Sequence, residues 1–246
     1  MRALIIMLQK SILLLARHWY LLAILLAWFV LSLAFLAPLL MVAGQPGAAQ
    51  TVYGWLAPHD HQLPQRSYFL FGQHSWVQTY SLEQILAWGG DPNRLRAFVG
   101  NPEIGFKMGM NQRMTAIFGA IVGGGLIWGL AGGRPRLGAG WFIVLSLPLL
   151  LDGFSHMYSE NSGLAFRNSN GWAVALTGGI FSADFYKGST AGTLNWLLRT
   201  VTGLLFGLGL VWFLFTYLSV QFAQIRQKLE PKLKRAAGRS SPASQE

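Results

Sequence analysis

Arg66, Ser67, Lys107, Arg113, Asp152, Asn195 and Arg199 are the residues of this chain best suited to hold a charged ligand. Guanidinium forks match the geometry of phosphate and carboxylate. Arg66, Lys107, Arg113 and Arg199 would therefore form a cationic cluster for an anionic lipid headgroup or a phosphorylated polyprenyl carrier, with Ser67 and Asn195 as polar contacts. The competing arrangement pairs these cations with Asp152, Asp60 and Glu103, tying loops to helices. For catalysis, Asp152 or Asp60 as general base and His61 or His156 as general acid is the least that a hydrolase or transferase needs. Asp152 with His61 is the leading pair. Ser67 as nucleophile would need an adjacent base, and the sequence has no nucleophile elbow, phosphate loop or paired-His zinc helix. A role without catalysis is favoured. His59, Asp60 and His61 could offer nitrogen and oxygen ligands to a metal ion, yet their spacing matches no established site. The residues name no cofactor. The chain has no Cys, which excludes disulfides, a thiolate nucleophile and Cys-ligated zinc.

These residues lie between or at the ends of four apolar runs, roughly 19–44, 114–132, 137–155 and 200–221. A segment of about 20 apolar residues matches the roughly 30 Å hydrocarbon core of a bilayer. A hydrophobic content of 52% with only 11% charged residues is far from a water-soluble domain, where about 25% charged is usual. The sequence predicts an all-α, polytopic membrane bundle of four transmembrane helices. Residues 1–18 are expected to form an amphipathic interfacial helix. The run that follows is longer than the core of a cleaved signal, so an uncleaved anchor is expected.

The net charge of +10 is unevenly placed. Residues 1–18, the Arg134-Pro135-Arg136 turn and the tail 222–246 hold 11 basic residues against Glu230 and Glu246, while the rest of the chain holds eight basic and seven acidic. Basic residues collect in short cytoplasmic segments. Both termini are thus assigned to the cytoplasm, in the cell membrane. The loops 45–113 and 156–199 become structured extracytoplasmic loops, folded together over the helix ends. The excess charge is read as topology plus contact with membrane lipid, not as nucleic-acid binding, because the aromatics lie in the spans. Transport is disfavoured, since inverted repeats are absent and no charge sits near mid-span.

Within the first long loop, Ser81 with Gln84 forms a capping box that predicts a short helix ending at Gly89-Gly90. Gly119 with Gly123, Gly125 with Gly129, and Gly203 with Gly207 have the four-residue spacing that brings helices close in lipid. Tight packing within the bundle or a homodimer seam would use them. The tail from Ala236 to Glu246 is expected to be disordered.

The segments His61-Gln62-Leu63-Pro64-Gln65-Arg66-Ser67-Tyr68-Phe69-Leu70-Phe71-Gly72, Gly105-Phe106-Lys107, Gln112-Arg113, Asp152-Gly153-Phe154, Asn195 and Arg199-Thr200-Val201-Thr202-Gly203 occur in a telling order. Together they resemble the motifs of an uncharacterised prokaryotic membrane family catalogued as domain of unknown function 2085. The resemblance covers about 150 residues of the chain and brings no established activity. It implies cysteines at two positions that here are Asp60 and Asn111, and an acid where Met114 stands. Any metal or redox chemistry of those cysteines would be lost. The stretch from about Tyr158 to Gly192 looks like an insertion between two family motifs. Its apolar run Trp172 to Phe181 is too short to span and would suit a hairpin or a partner surface. The expected function is an accessory or scaffold subunit whose outer polar cluster binds an anionic headgroup or a partner, be it another membrane subunit or a second copy. The alternatives are a membrane enzyme acting on a lipid-linked or headgroup substrate, and a metal-binding membrane protein.

Overall fold

The computed structural model describes residues 1–134 and 136–238. In chain order they form α1 (Arg2–Val42), α2 (Pro46–Leu56), a 3-10 turn at Pro64–Arg66, β1 (Ser67–Leu70), β2 (Val77–Gln78) and α3 (Leu82–Ala87). A second 3-10 turn at Leu95–Ala97 leads to β3 (Gly100–Asn101), β4 (Gly105–Asn111), α4 (Gln112–Leu130) and α5 (Ala139–Asn161). The chain ends on α6 (Phe166–Ser169), α7 (Gly171–Thr177), α8 (Ala183–Tyr186) and α9 (Leu194–Gly238). Four helices, α1, α4, α5 and α9, are long and apolar enough to cross a membrane.

The pattern of α5 is that of a helix in lipid. Its buried residues are Ser146, Asp152, His156 and Ser159, while Leu147, Leu150, Leu151, Phe154 and Met157 face outward. Such an inverted helix would be unstable in water, but in a bilayer the polar side has to turn inward. At 1.5 Å per residue the 41 residues of α1 and the 45 of α9 extend about 60 Å or more, twice the hydrocarbon thickness. Both are therefore longer than a bilayer's hydrocarbon core, and in the extra length Arg17 of α1 pairs with Glu230 of α9 at 2.8 Å.

Glycine sets the closest helix approaches. A Cβ on Gly207 would lie 2.6 Å from the Ile117 carbonyl oxygen, and one on Gly203 2.8 Å from that of Arg113. The backbones of α4 and α9 could not come so near with larger residues. Gly125 and Gly129 meet Ile24 and Tyr20 of α1, whereas Gly119 and Gly123 have open space around them. Below, Trp19, Trp128 and Phe215 join α1, α4 and α9 in an edge-to-face aromatic cluster.

The purely helical expectation needs amendment. The first long loop builds a four-stranded antiparallel sheet in the order β2-β1-β4-β3. Strand β4 packs on α1 because Gly109 has no side chain to strike Ala34 or Leu56. Ala34, Ala37, Val52, Tyr53, Met108 and Met110 then share one core. The predicted α3 forms with its capping box, Ser81 accepting from the Gln84 amide and Gln84 from that of Ser81. Residues 1–18 are the first turns of α1, with no break before the span. The spans begin or end a few residues from the expected positions, and the tail continues as α9 to Gly238. Of the tail read as disordered, residues 239–246 lie outside the described residues.

Candidate functional site

Asp152 is the centre around which the ionisable residues gather. It lies on the buried side of α5, where its Oδ2 accepts from Arg113 Nη2 at 2.5 Å and its Oδ1 from Arg167 Nη2 at 2.6 Å. One turn on, His156 Nε2 is 3.8 Å from the same Oδ1, 3.1 Å from Arg167 Nη2 and 3.4 Å from Arg199 Nη2. A guanidinium only donates, so hydrogen bonds from these arginines to His156 would use the lone pair of Nε2. Arg66 pairs with Glu160 at the end of α5. Four guanidiniums thus share two carboxylates and an imidazole.

Each member is held by its own element. Asn111 caps α4, its side chain accepting from the Met114 amide, and this sets Arg113 in the first turn with its side chain toward α5. Asn195 and Arg199, four residues apart, lie on one side of α9. Arg167 is on the four-residue α6, bracketed by Ala165 and Asn170 in the left-handed region, at φ 49° and 47°. Non-glycine residues adopt that conformation only where the surroundings enforce it. The enforcement is visible: Ser159 Oγ accepts from the Arg167 amide, and Asn195 Nδ2 donates to the Arg167 carbonyl.

The cluster is buried and short of counter-charge. Arg167 and Arg199 are almost fully enclosed, as is Asp152. Burial, reinforced by Arg113 and Arg167 and opposed by Asp152, pushes Arg66 down to about 10. Arg167 is lowered for the same leading reason, with Asp152 working the other way. Among the described residues, Nε of Arg66, Arg113 and Arg167 and Nη1 of Arg199 are buried without a hydrogen-bond partner. Leaving a buried donor unpaired costs about 1–3 kcal/mol, more for a charged group.

The other residues singled out in the sequence go elsewhere. Ser67 donates to the Leu63 carbonyl. Lys107 lies in the sheet domain, its Nζ donating to the carbonyls of Gln62 and Arg96 with the Tyr53 ring 5.7 Å away. Asn195 serves as a brace, giving its amide to the Arg167 and Gly188 carbonyls and receiving Asn170. Asp60 accepts from the amides of Gln62 and Asn111, while His59 and His61 are exposed. No three metal-ligating side chains come together among the described residues, so His59, Asp60 and His61 do not assemble a site. His61 is not among the partners of Asp152; the histidine beside that carboxylate is His156. Arg167 and Glu160 escaped notice in the sequence. The only signal was one arginine in an Asn- and Ser-rich stretch flanked by the charged ends of α5 and α9.

The two long loops do close over the helix ends together. Trp196 Nε1 donates to the Tyr68 hydroxyl at 3.0 Å, the Ala191 amide to Thr79 at 2.7 Å and Gln112 to the Ser189 carbonyl at 3.3 Å. No family model, curated protein or solved structure matches this chain.

Proposed function

We propose that this chain is a non-catalytic, multi-pass protein of the cell membrane, an accessory or scaffold subunit whose arginine cluster binds an anionic headgroup or the anionic group of a partner. The observation that carries it is the excess of buried guanidinium donors, Arg66, Arg113, Arg167 and Arg199, over the acids Asp152 and Glu160. An anion would supply the missing acceptors at low desolvation cost, because the protein has already removed these groups from water. The distribution of Lys and Arg puts both termini in the cytoplasm and the cluster on the extracytoplasmic side. Membership of the family of unknown function 2085 belongs to the same proposal and rests on the motifs quoted above. Asp60 and Asn111, the positions of its cysteines, adjoin here, with an Asp60 carboxylate to Asn111 amide bond of 2.8 Å.

Equilibrium binding of inorganic phosphate to the full chain in phosphatidylcholine nanodiscs tests this reading. Saturable binding that Arg199→Met and Arg66→Met each weaken about tenfold or more is expected. Absence of binding to the unaltered chain refutes it. A second reading, a hydrolase or transferase acting on a headgroup, draws on the placement of His156 Nε2 among the guanidiniums. It requires that His156→Gln abolish turnover of a phosphorylated lipid while binding persists.

A further inference from the structure

Beside the arginine cluster, residues of α5 and α9 line a common groove. The two helices touch below, where Gly209 meets Leu145 and Phe142, and Phe142 stacks on Phe213 with centroids 5.0 Å apart. Above that contact the groove, of about 400 Å³, opens between Pro148, Leu151 and Ser155 of α5 and Leu198 and Thr202 of α9. Phe166, Arg167, Trp172 and Asp152 complete its lining, so that Arg167 and Asp152 belong to both the groove and the cluster.

Two features say what fits there. The lining of the groove is mostly apolar, its charged members being Arg167 and Asp152, which bond each other, with Arg167 5.7 Å from the Trp172 ring. Its flanks are the outward-facing side of the bundle, with Leu150, Leu151, Phe154 and Val201 exposed, so the opening gives onto the region of lipid chains. A soluble anion would use the charged members and leave the apolar walls unfilled. A lipid-anchored anion would use both, gaining about 25 cal/mol for each Å² of apolar surface covered.

We infer that the ligand of the arginine cluster is a phosphorylated amphiphile, its phosphate at Arg167, the guanidinium shared by groove and cluster, and its apolar chain lying in the α5–α9 groove, which it enters sideways from the bilayer. This rests on the anion-binding reading of the cluster and adds to it the chain, the groove and the route. Arg167, with its Trp172 contact, is common to head site and chain site.

The test compares farnesyl phosphate, farnesol and inorganic phosphate for binding to the full chain in phosphatidylcholine nanodiscs. Farnesyl phosphate should bind at least about 100-fold more tightly than inorganic phosphate, from the apolar area covered, and farnesol should bind far more weakly than its phosphate. Leu198→Trp fills the groove and should bring the ratio of farnesyl phosphate to phosphate affinity toward one. Leu151→Trp, at an exposed position, should lower the same ratio even if Leu198→Trp fails to fold. Equal affinities of the two phosphates, or a ratio that both tryptophan variants leave intact, would overturn the groove while sparing the anion site. Farnesol binding as tightly as farnesyl phosphate, or no phosphate ligand binding at all, would overturn both.

Discussion

Asp152 bridges Arg113 and Arg167, which share its single negative charge, so its loss exposes each guanidinium to the other in a dry setting. Removing one member of a buried ion set costs about 3–5 kcal/mol. Asp152→Asn should accordingly lower the melting temperature of the purified protein by several degrees. The freed guanidiniums then make a better anion site, and inorganic phosphate should raise the melting temperature of Asp152→Asn more than that of the unaltered chain. A variant that melts early and ignores phosphate would count against the cluster as an anion site. Lys107 offers a separate check on the sheet domain. Burial pushes it down to about 7, opposed by Asp60 and helped by Arg96, whereas an unfolded lysine holds its proton to about 10.4. Between those values the unfolded chain binds the extra proton, so stability rises as pH increases from about 7 toward 10. Burial raises Tyr53 well above its ordinary value, so above about pH 10 the unfolded tyrosine ionises first and the trend reverses. Thermal melts across this range should show the rise, and Lys107→Met should flatten it.

At the level of elements, the glycine pairs separate packing from coincidence. Gly207→Ala would place a methyl 2.6 Å from the Ile117 carbonyl oxygen and 2.7 Å from the Ala120 side chain, both in the α4–α9 contact. Gly119→Ala, on the same α4, meets nothing within 4 Å. Alanine favours a helix over glycine by about 1 kcal/mol, so Gly119→Ala should melt at or above the unaltered temperature and Gly207→Ala clearly below it. Equal melting of the two would remove the close approach as the cause of α4–α9 packing. The short α6 is a different device. Its strained ends and its braces to Ser159 and Asn195 serve to aim one side chain at Asp152, which four residues of helix could not do unaided.

For the molecule as a whole, the charge pattern sets an orientation that a fusion experiment can read. A reporter joined after Glu246 should be active in the cytoplasm, and one inserted in the exposed Asp91–Arg94 turn should be active only outside it. The reverse pattern would place the arginine cluster on the cytoplasmic side. The four long apolar helices were legible because a run of about 20 apolar residues matches the thickness of a bilayer's hydrocarbon core. The α3 helix was legible because its cap is local, requiring only Ser81 and Gln84. The sheet was not, since two of its strands are two residues long and such strands are stabilised by neighbours distant in the chain. In the same way Asp152 and Arg113 could be expected to face each other from their places at two helix ends, but Arg199 reaches His156 and Lys107 turns into the sheet domain. Hydropathy and charge act residue by residue along the chain, so the four long apolar helices, and the expectation of their sidedness, follow from the order of amino acids. Which guanidinium meets which carboxylate depends on helix rotation and on loop closure across more than a dozen residues, as with Arg167 and Asp152. Those contacts are settled only when the packed helices leave the buried charges a single set of partners.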